Sequence, residues 1–486
     1  MHARRLLALD AGTSSVRALA GEFDGERLQV EECGRFYHEP VAAQGAVLWD
    51  MQGIARKLEG LETQAVGKYG RIDSLSLDSW GTDMVALDAK GALLTNGVST
   101  RDPRFRGLKE AFFRIMPRKD IYARTGIQFL DWNSLYLLYA LMRDYPMLAG
   151  EAAQFLFAPD YFLYYLTGEK ICDYTIASTS QMLNPYTRVW DAELVSAAGV
   201  RLDQLLAPRL GGYLGRTRAQ GVEVYSGCSH DTAAAVAGIP LGGDDELFII
   251  AGSWAMMGAE LDHPVITPAS ACFGFSNEGG IDGRIRFLKN SMGMWLMQEC
   301  RREWQRQGMT LSFAEIAEQS AKARPYGAII NVNDPRLQPS GDLPSMIRTL
   351  CTETNQAVPQ TVGEIARTVS DSLAFRFRLI KEQIEACTGR RYARIHVVAG
   401  GSQDASLCQA IADVCACPVV AGPVEASAYG NCASQLIASG HVQNLRQARE
   451  IIKRSARLHN YDPHPSQQIE ELYAAVKDRI SASVAQ

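Results

Sequence analysis

The sequence lacks two common signatures of nucleotide-binding chains: neither a G-x-x-x-x-G-K-[ST] phosphate loop nor a G-x-G-x-x-G fingerprint occurs in it. A G-x-S-x-G elbow is missing too, so no hydrolase triad has its usual nucleophile turn. No uninterrupted apolar stretch is long enough to cross a bilayer. The opening MHARRLLALDAGTSS is broken by Asp10 after a short apolar run, which reads as neither a secretory h-region nor a span. An excess of either charge is absent as well. Lys and Arg number 49 against 54 Asp and Glu, a formal net charge of −5, so no nucleic-acid partner is expected. The eleven cysteines are an odd number without a Cys-x-x-Cys pair, since Cys415 and Cys417 are one residue too close. Reduced thiols, no zinc site and a cytoplasmic protein are the expectation.

What remains is a large apolar fraction, 47% of 486 residues, enough to bury a sizeable core in two or three domains. Strand patterns alternate with helical ones, an α/β arrangement. Leu6–Leu9 and Val16–Ala20 read as a hairpin around Gly12, Thr13, Ser14 and Ser15. Ile72–Leu77 and Met84–Leu87 read as strands flanking Asp78, Ser79, Trp80 and Gly81. Helices are predicted over Leu135–Leu148, Phe155–Leu166 and the segment DTAAAVAG that begins at Asp231. A turn-rich break at Gly238, Pro240, Gly242 and Gly243 marks a domain boundary. Strand, glycine bend and helix then recur loosely, at Leu247–Ala251 with Gly252–Ser253, and at Ile395–Ala399 with Gly400–Asp404. The divisions expected are 1–243, 244–456 and 457–486.

Three glycine bends can each offer small side chains and backbone amides to an anion, with Arg17 within reach of the first. Asp10, at a strand end before that bend, suits either a carboxylate holding waters of Mg²⁺ beside phosphate oxygens or an acid accepting turn amides. Asp78 has the same two readings, with Trp80 as an aromatic wall and Gly81 as bare backbone beside a small hydroxyl-rich ligand. Asp231 suits a proton acceptor that orients an attacking hydroxyl, or an acid at a helix N-terminus, and both roles are compatible. His230 alone reads as a packing or hydrogen-bonding residue.

The segments LLALDAGTSSVRAL, SLDSWGTDMVALD, APDYFLYYLTGE, YTIASTSQMLNP, SHDTAAAV, FLKNSMGMWLMQ and AGPVEASAYGN together resemble the FGGY carbohydrate kinases over nearly the whole length. The combination of GIQF, PDYF, LKN-x-MG-x-W and AGPVEAS resembles the rhamnulokinase branch most. That resemblance implies two actin-like, ribonuclease-H-type α/β domains flanking a catalytic cleft. The implied reaction is ATP-dependent phosphorylation of L-rhamnulose at its 1-hydroxyl with Mg²⁺, or of L-fuculose, L-xylulose or another ketose; a sugar-sensing protein that has lost transfer is the other class. It implies Asp231 as proton acceptor, and Gly81, His230, Asp231 and Thr232 as sugar-contacting residues, to which Asp78, Trp80 and Phe129 are added, Phe129 against the sugar's methyl group. Nucleotide contacts fall on Thr13, Ser14, Ser15, Val16 and Arg17, and on Ser253, Asn290, Gln298, Gly400 and Gly401. Asp10 is the acid expected to act through magnesium. Monomer and homodimer both stay open.

The third bend departs from the family pattern. It reads AGGSQD, with Ala399 in place of a glycine and Asp404 in place of an amide, and a second carboxylate near phosphates is unfavourable unless turned away or paired. A family disulfide position falls on Ile411, opposite Cys415, so no bridge is expected there.

Overall fold

The computed structural model describes residues 3–43, 45–100 and 102–481. The extreme ends of the ranges 1–243 and 457–486 expected from sequence therefore lie outside the described residues. The chain divides into two compact units. One comprises the described residues up to Gly242 together with Glu260–Phe287 and Glu425–Ala456; the other comprises Gly243–Ala259, Leu288–Val424 and the described residues from Arg457 on.

The first unit is organised by a six-stranded sheet: β1 (Arg4–Ala11), β2 (Ser15–Phe23), β3 (Leu28–Tyr37), β4 (Ser74–Ser79), β5 (Gly212–Arg216) and β6 (Glu223–Ser226), in the order β3-β2-β1-β4-β6-β5. β1, β2 and β3 are antiparallel neighbours, whereas β4 runs parallel to β1. The LLAL run of β1 is apolar at every position because both faces are covered. Successive side chains point to opposite faces. Leu7 and Leu9 meet Met51, Ile54 and Leu58 of helix α1 (Met51–Tyr69). Leu6 and Ala8 meet Ala428, Cys432 and Leu436, from more than 400 residues away. α1 is bounded by Asp50, whose carboxylate accepts from the Gly53 amide, and by Gly70 at φ 73°.

Helix α2 (Asp231–Ala237) follows β6. In the second unit, β7 (Glu246–Ala251) pairs antiparallel with β8 (Trp254–Leu261) and parallel with β9 (Arg394–Val398). β9 continues to β10 (Val419–Ala421) and β11 (His459–Tyr461). The long helix α3 (Val362–Thr388), with a capping box of Thr361 and Glu364, packs against α4 (Ala405–Cys415).

The first unit also takes helix α5 (Ala426–Ala438), which the sequence division had placed in the C-terminal domain. The physical reason is a pair of glycines. A Cβ on Gly430 would lie 1.8 Å from the Ala234 carbonyl oxygen of α2, and one on Gly238 would lie 1.9 Å from that of Ala426. Only bare backbone allows so close a crossing. Polar side chains then fix α5 to the sheet. Gln435 donates to the Leu7 carbonyl at 3.0 Å and accepts from Ser74 Oγ at 2.7 Å.

One helix expected from sequence needs correcting. Within Phe155–Leu166, the residues Gln154–Phe157 form a strand against Met84–Leu87, and the helix begins only at Ala158, with Pro159 in its first turn. The aromatic FLF favours a pleated surface, and Pro pre-sets the helix start. All eleven cysteines are free, and no helix among the described residues is long and apolar enough to cross a membrane.

Candidate active site

Three carboxylates gather in the first unit. The parallel pairing of β1 with β4 sets Asp10 opposite Asp78, and an isolated bridge from Ser79 to His230 brings the head of α2 alongside. Asp78 is fully buried, and its Oδ2 accepts from Asn431 of α5 at 2.7 Å. Its Oδ1 has no hydrogen-bond partner among the described residues. Burial, then the charge of Asp10, holds the Asp78 carboxyl well above the ordinary carboxylate range. Asp78 is thus a buried neighbour of the other two acids, not the ligand-facing residue expected from sequence.

The Asp231 side chain is 39% exposed, against 11% for Asp10, so Asp231 offers the more open carboxylate. Enclosure and then the Asp10 charge push it up to about 7, with Thr232 hydrogen bonds and Arg286 pulling the other way. A carboxyl near 7 is suited to taking a proton at neutral pH. Beside it, His230 Nε2 lies 3.4 Å from Asp231 Oδ1. Gly81 lies close by: a Cβ there would sit 3.2 Å from that nitrogen, a tight contact that the imidazole would have to yield to. The structure thus brings Gly81, His230, Asp231 and Thr232 together around one point.

Arg17 faces Asp10 across the hairpin and contacts its carboxylate, while its other arm reaches Glu425 at 2.6 Å. Ser427 Oγ donates to Asp10 at 3.2 Å. Among the described residues no cluster of three or more His, Cys, Asp or Glu could hold a metal ion. The protein donors present therefore fit a magnesium ion only as a minor share of its ligands, with Asp10 the candidate and phosphate oxygens and water the remainder.

In the first bend Thr13 and Ser14 are exposed and Ser15 half-buried, whereas the Val16 side chain is packed in the core. Val16 therefore offers no side chain to an anion. A residue that sequence reasoning missed shapes this bend: the His38 ring bonds the Gly12 carbonyl at 2.8 Å, and its amide donates to Ser14 O at 3.2 Å. His38 packs on Trp49 and Trp80, whose indole N–H groups both donate to Asp83 Oδ2, at 2.7 and 2.8 Å.

Trp80 is accordingly a core residue supporting the bend, where an aromatic wall was expected. Phe129 is a second correction. It is 5% exposed, edge-on to Phe113, tilted against Tyr122 and covered by the Arg118 guanidinium 4.7 Å from its centroid. Its apolar faces are already covered.

The second unit places two further bends together. A Cβ on Gly401 would lie 2.5 Å from Ala251 Cβ, so the turn after β9 lies directly on the end of β7, while Gly400 has open space around it. Ser253 Oγ donates to Gln298 at 3.0 Å, uniting two residues expected to contact nucleotide, and Asn290 lies half-buried on the strand Ile285–Met292. Asp404 caps α4, accepting from the Leu407 amide at 3.0 Å and from Ser370 at 3.3 Å. Its charge is turned into the helix N-terminus, the favourable disposition for an acid at this position. Ala399 adopts φ 66° and ψ −165°, a conformation suited to the glycine it replaces.

Arg286, Glu278, Asn431 and Glu425 were also missed by sequence reasoning. Glu425 and Asn431 lie within the quoted segment AGPVEASAYGN, whereas Arg286 and Glu278 lie in none.

Comparison with known proteins is consistent along the whole chain. Residues 5–238 match the model of the N-terminal domain of the FGGY family of carbohydrate kinases, and residues 247–439 match that of its C-terminal domain. A rhamnulokinase of Bacteroides thetaiotaomicron is 35% identical over 470 residues, covering 95% of this chain and 96% of the relative. One of Yersinia pestis is 37% identical over 466 residues, covering 94% and 95%. Among solved structures, xylulose kinase from Rhodospirillum rubrum superposes with a TM-score of 0.78 at 17% identity, covering 98% of each chain. Plasmodium falciparum glycerol kinase with ADP gives 0.80 at 13%, covering 100% of this chain and 99% of that one. These likenesses establish the two-domain actin-like α/β fold, and the family models with the curated relatives establish that this chain belongs to the FGGY family of carbohydrate kinases.

Proposed function

We propose that the protein transfers the γ-phosphoryl group of ATP to the 1-hydroxyl of L-rhamnulose, giving L-rhamnulose 1-phosphate and ADP, in the cytoplasm. The observation that carries the reaction type is the partly open Asp231 carboxyl, raised to about 7 beside two more enclosed acids. The named ketose is supported by the rhamnulokinase relatives at 35–37% identity over most of the chain.

Asp231 accepts the hydroxyl proton as the oxygen attacks phosphorus, and its fixed position at the head of α2 keeps that oxygen in line. Gly81, His230 and Thr232 hold the remaining sugar oxygens, a misplaced hydroxyl leaving one of them unsatisfied. In the first unit Thr13, Ser14 and Ser15 offer hydroxyls and backbone amides to phosphate; in the second the bends at Ser253 and Gly400–Gly401, with Asn290 and Gln298, offer theirs to nucleotide. Arg17 orients the Asp10 carboxylate by direct contact, and Asp10 would hold a magnesium ion that, when bound, neutralises charge on the phosphate oxygens.

The test is ADP release across a panel of L-rhamnulose, L-fuculose, L-xylulose and glycerol, with product mass for each positive. L-Rhamnulose should give the highest kcat/KM. Another ketose ahead by about tenfold, roughly 1.4 kcal/mol of transition-state preference, would reject the named substrate and leave the kinase reading standing.

A further inference from the structure

Arg286 is a fully buried arginine outside every motif discussed above, and it faces His230 from the side opposite Asp231. Its terminal nitrogen lies 3.2 Å from His230 Nδ1, its Nε donates to the Gly279 carbonyl at 2.9 Å, and Glu278 lies 3.1 Å away as its counter-charge. A guanidinium donates and cannot accept. His230 Nδ1 must therefore be the acceptor, and in a neutral imidazole the other nitrogen then carries the hydrogen. Neutrality follows from the surroundings. Burial and the adjacent Arg286 charge both hold His230 well below its usual pKa. Glu278 Oε2, at 3.8 Å from Nδ1, is engaged by Arg286 first.

We infer that Arg286 and Glu278 are positioning residues that lock His230 in its Nε2–H tautomer, making it an obligatory hydrogen-bond donor to a sugar oxygen beside Asp231. The donor is aimed where Gly81 leaves room and where the Asp231 carboxylate also points, 3.4 Å from Nε2. A fixed proton donor and, when ionised, a proton acceptor then flank the same position. An oxygen that only accepts satisfies His230, and a hydroxyl bound to Asp231 delivers its proton there. Locking also spares His230 the cost of choosing a tautomer when sugar binds, which is how a second layer of charged groups orients a ligand-contacting imidazole. This assignment rests on the kinase reading for its role, and on hydrogen-bond geometry and burial for its chemistry.

Long-range ¹H–¹⁵N spectra of the full chain, labelled at its eight histidines, test it directly, with His230→Asn identifying the signal. Wild-type protein without substrate should show a bare Nδ1 and a protonated Nε2 from pH 6 to 9. Arg286→Met should release the Nδ1–H form and lower kcat/KM for the ketose by about tenfold or more, with the KM for ATP unchanged; Arg286→Lys should restore only part of either. A protonated Nδ1 in wild type overturns the inference, and so does an unaltered tautomer and unaltered sugar kinetics in both variants. If Arg286→Met does not fold, the wild-type spectrum and Arg286→Lys still decide. A locked Nε2–H in a protein that phosphorylates no ketose would sink the kinase reading and leave the tautomer assignment standing.

Discussion

Replacing Ala399 by glycine should stabilise the second unit. Ala399 sits at φ 66° and ψ −165°, and the turn keeps it there because the Ser402 amide and hydroxyl both donate to its carbonyl, at 3.0 and 2.7 Å. A non-glycine residue held in such a region costs about 1–3 kcal/mol. Against that recovery stand the greater freedom of glycine in the unfolded chain, about 0.5–1 kcal/mol, and loss of a half-buried methyl, about 0.4 kcal/mol, or half the value of a fully buried one. The balance is a gain of about 1 kcal/mol, which for a unit of this size raises the transition by about 2–4 °C. Scanning calorimetry of wild type, Ala399→Gly and Ala399→Val provides the assay. The glycine variant should melt higher and the valine variant lower, since a branched side chain tolerates positive φ least. A glycine variant melting at or below wild type would refute the strain argument.

Other outcomes follow from the first unit. Asp231→Asn should keep the fold and ATP binding while reducing kcat by about 10²–10⁴-fold, the range for a lost acid–base group, as measured by ADP release. Because only the ionised carboxylate accepts a proton, wild-type kcat/KM should rise with pH through about 7 and level off above it; a flat profile between pH 5.5 and 8 counts against the assigned base. Asp10→Ala leaves Arg17 with Glu425 as its remaining acid partner, and magnesium titrations of turnover should show a lower kcat with a shallower metal dependence while ketose binding survives in calorimetry. Gly430→Ala forces α5 away from α2, since its Cβ would meet the Ala234 oxygen at 1.8 Å, and thermal unfolding should register a loss of about 3 kcal/mol, the upper end for overpacking.

The legible parts of the fold are those set by neighbours in sequence. The hairpin around Gly12–Ser15, the strand Met84–Leu87 and the helix at Asp231–Ala237 all follow from local apolar pattern and turn residues. That Gly81, His230, Asp231 and Thr232 lie together was legible through the family's motifs. Trp80 and Phe129 were misread for a single reason: an aromatic beside a glycine motif satisfies a core position and a ligand wall equally well, and only the partners of its ring distinguish them. Asp78 was misplaced similarly, because Asn431, the residue that encloses it, is 353 positions away. Arg286 and Glu278 have no local pattern at all, their meaning arising only from what His230 lacks on its Nδ1 side.

The close crossing of α2 and α5 also bears on the order in which the protein can be made. Leu6, Ala8 and Leu19 complete their packing against Ala428, Cys432 and Leu436, which are translated more than 400 residues later. At roughly 5–20 residues per second, the face of β1 waits about 20–80 s for its cover. A nascent chain ending near residue 243 therefore carries the apolar face of β1 without the helix that covers it in the folded protein.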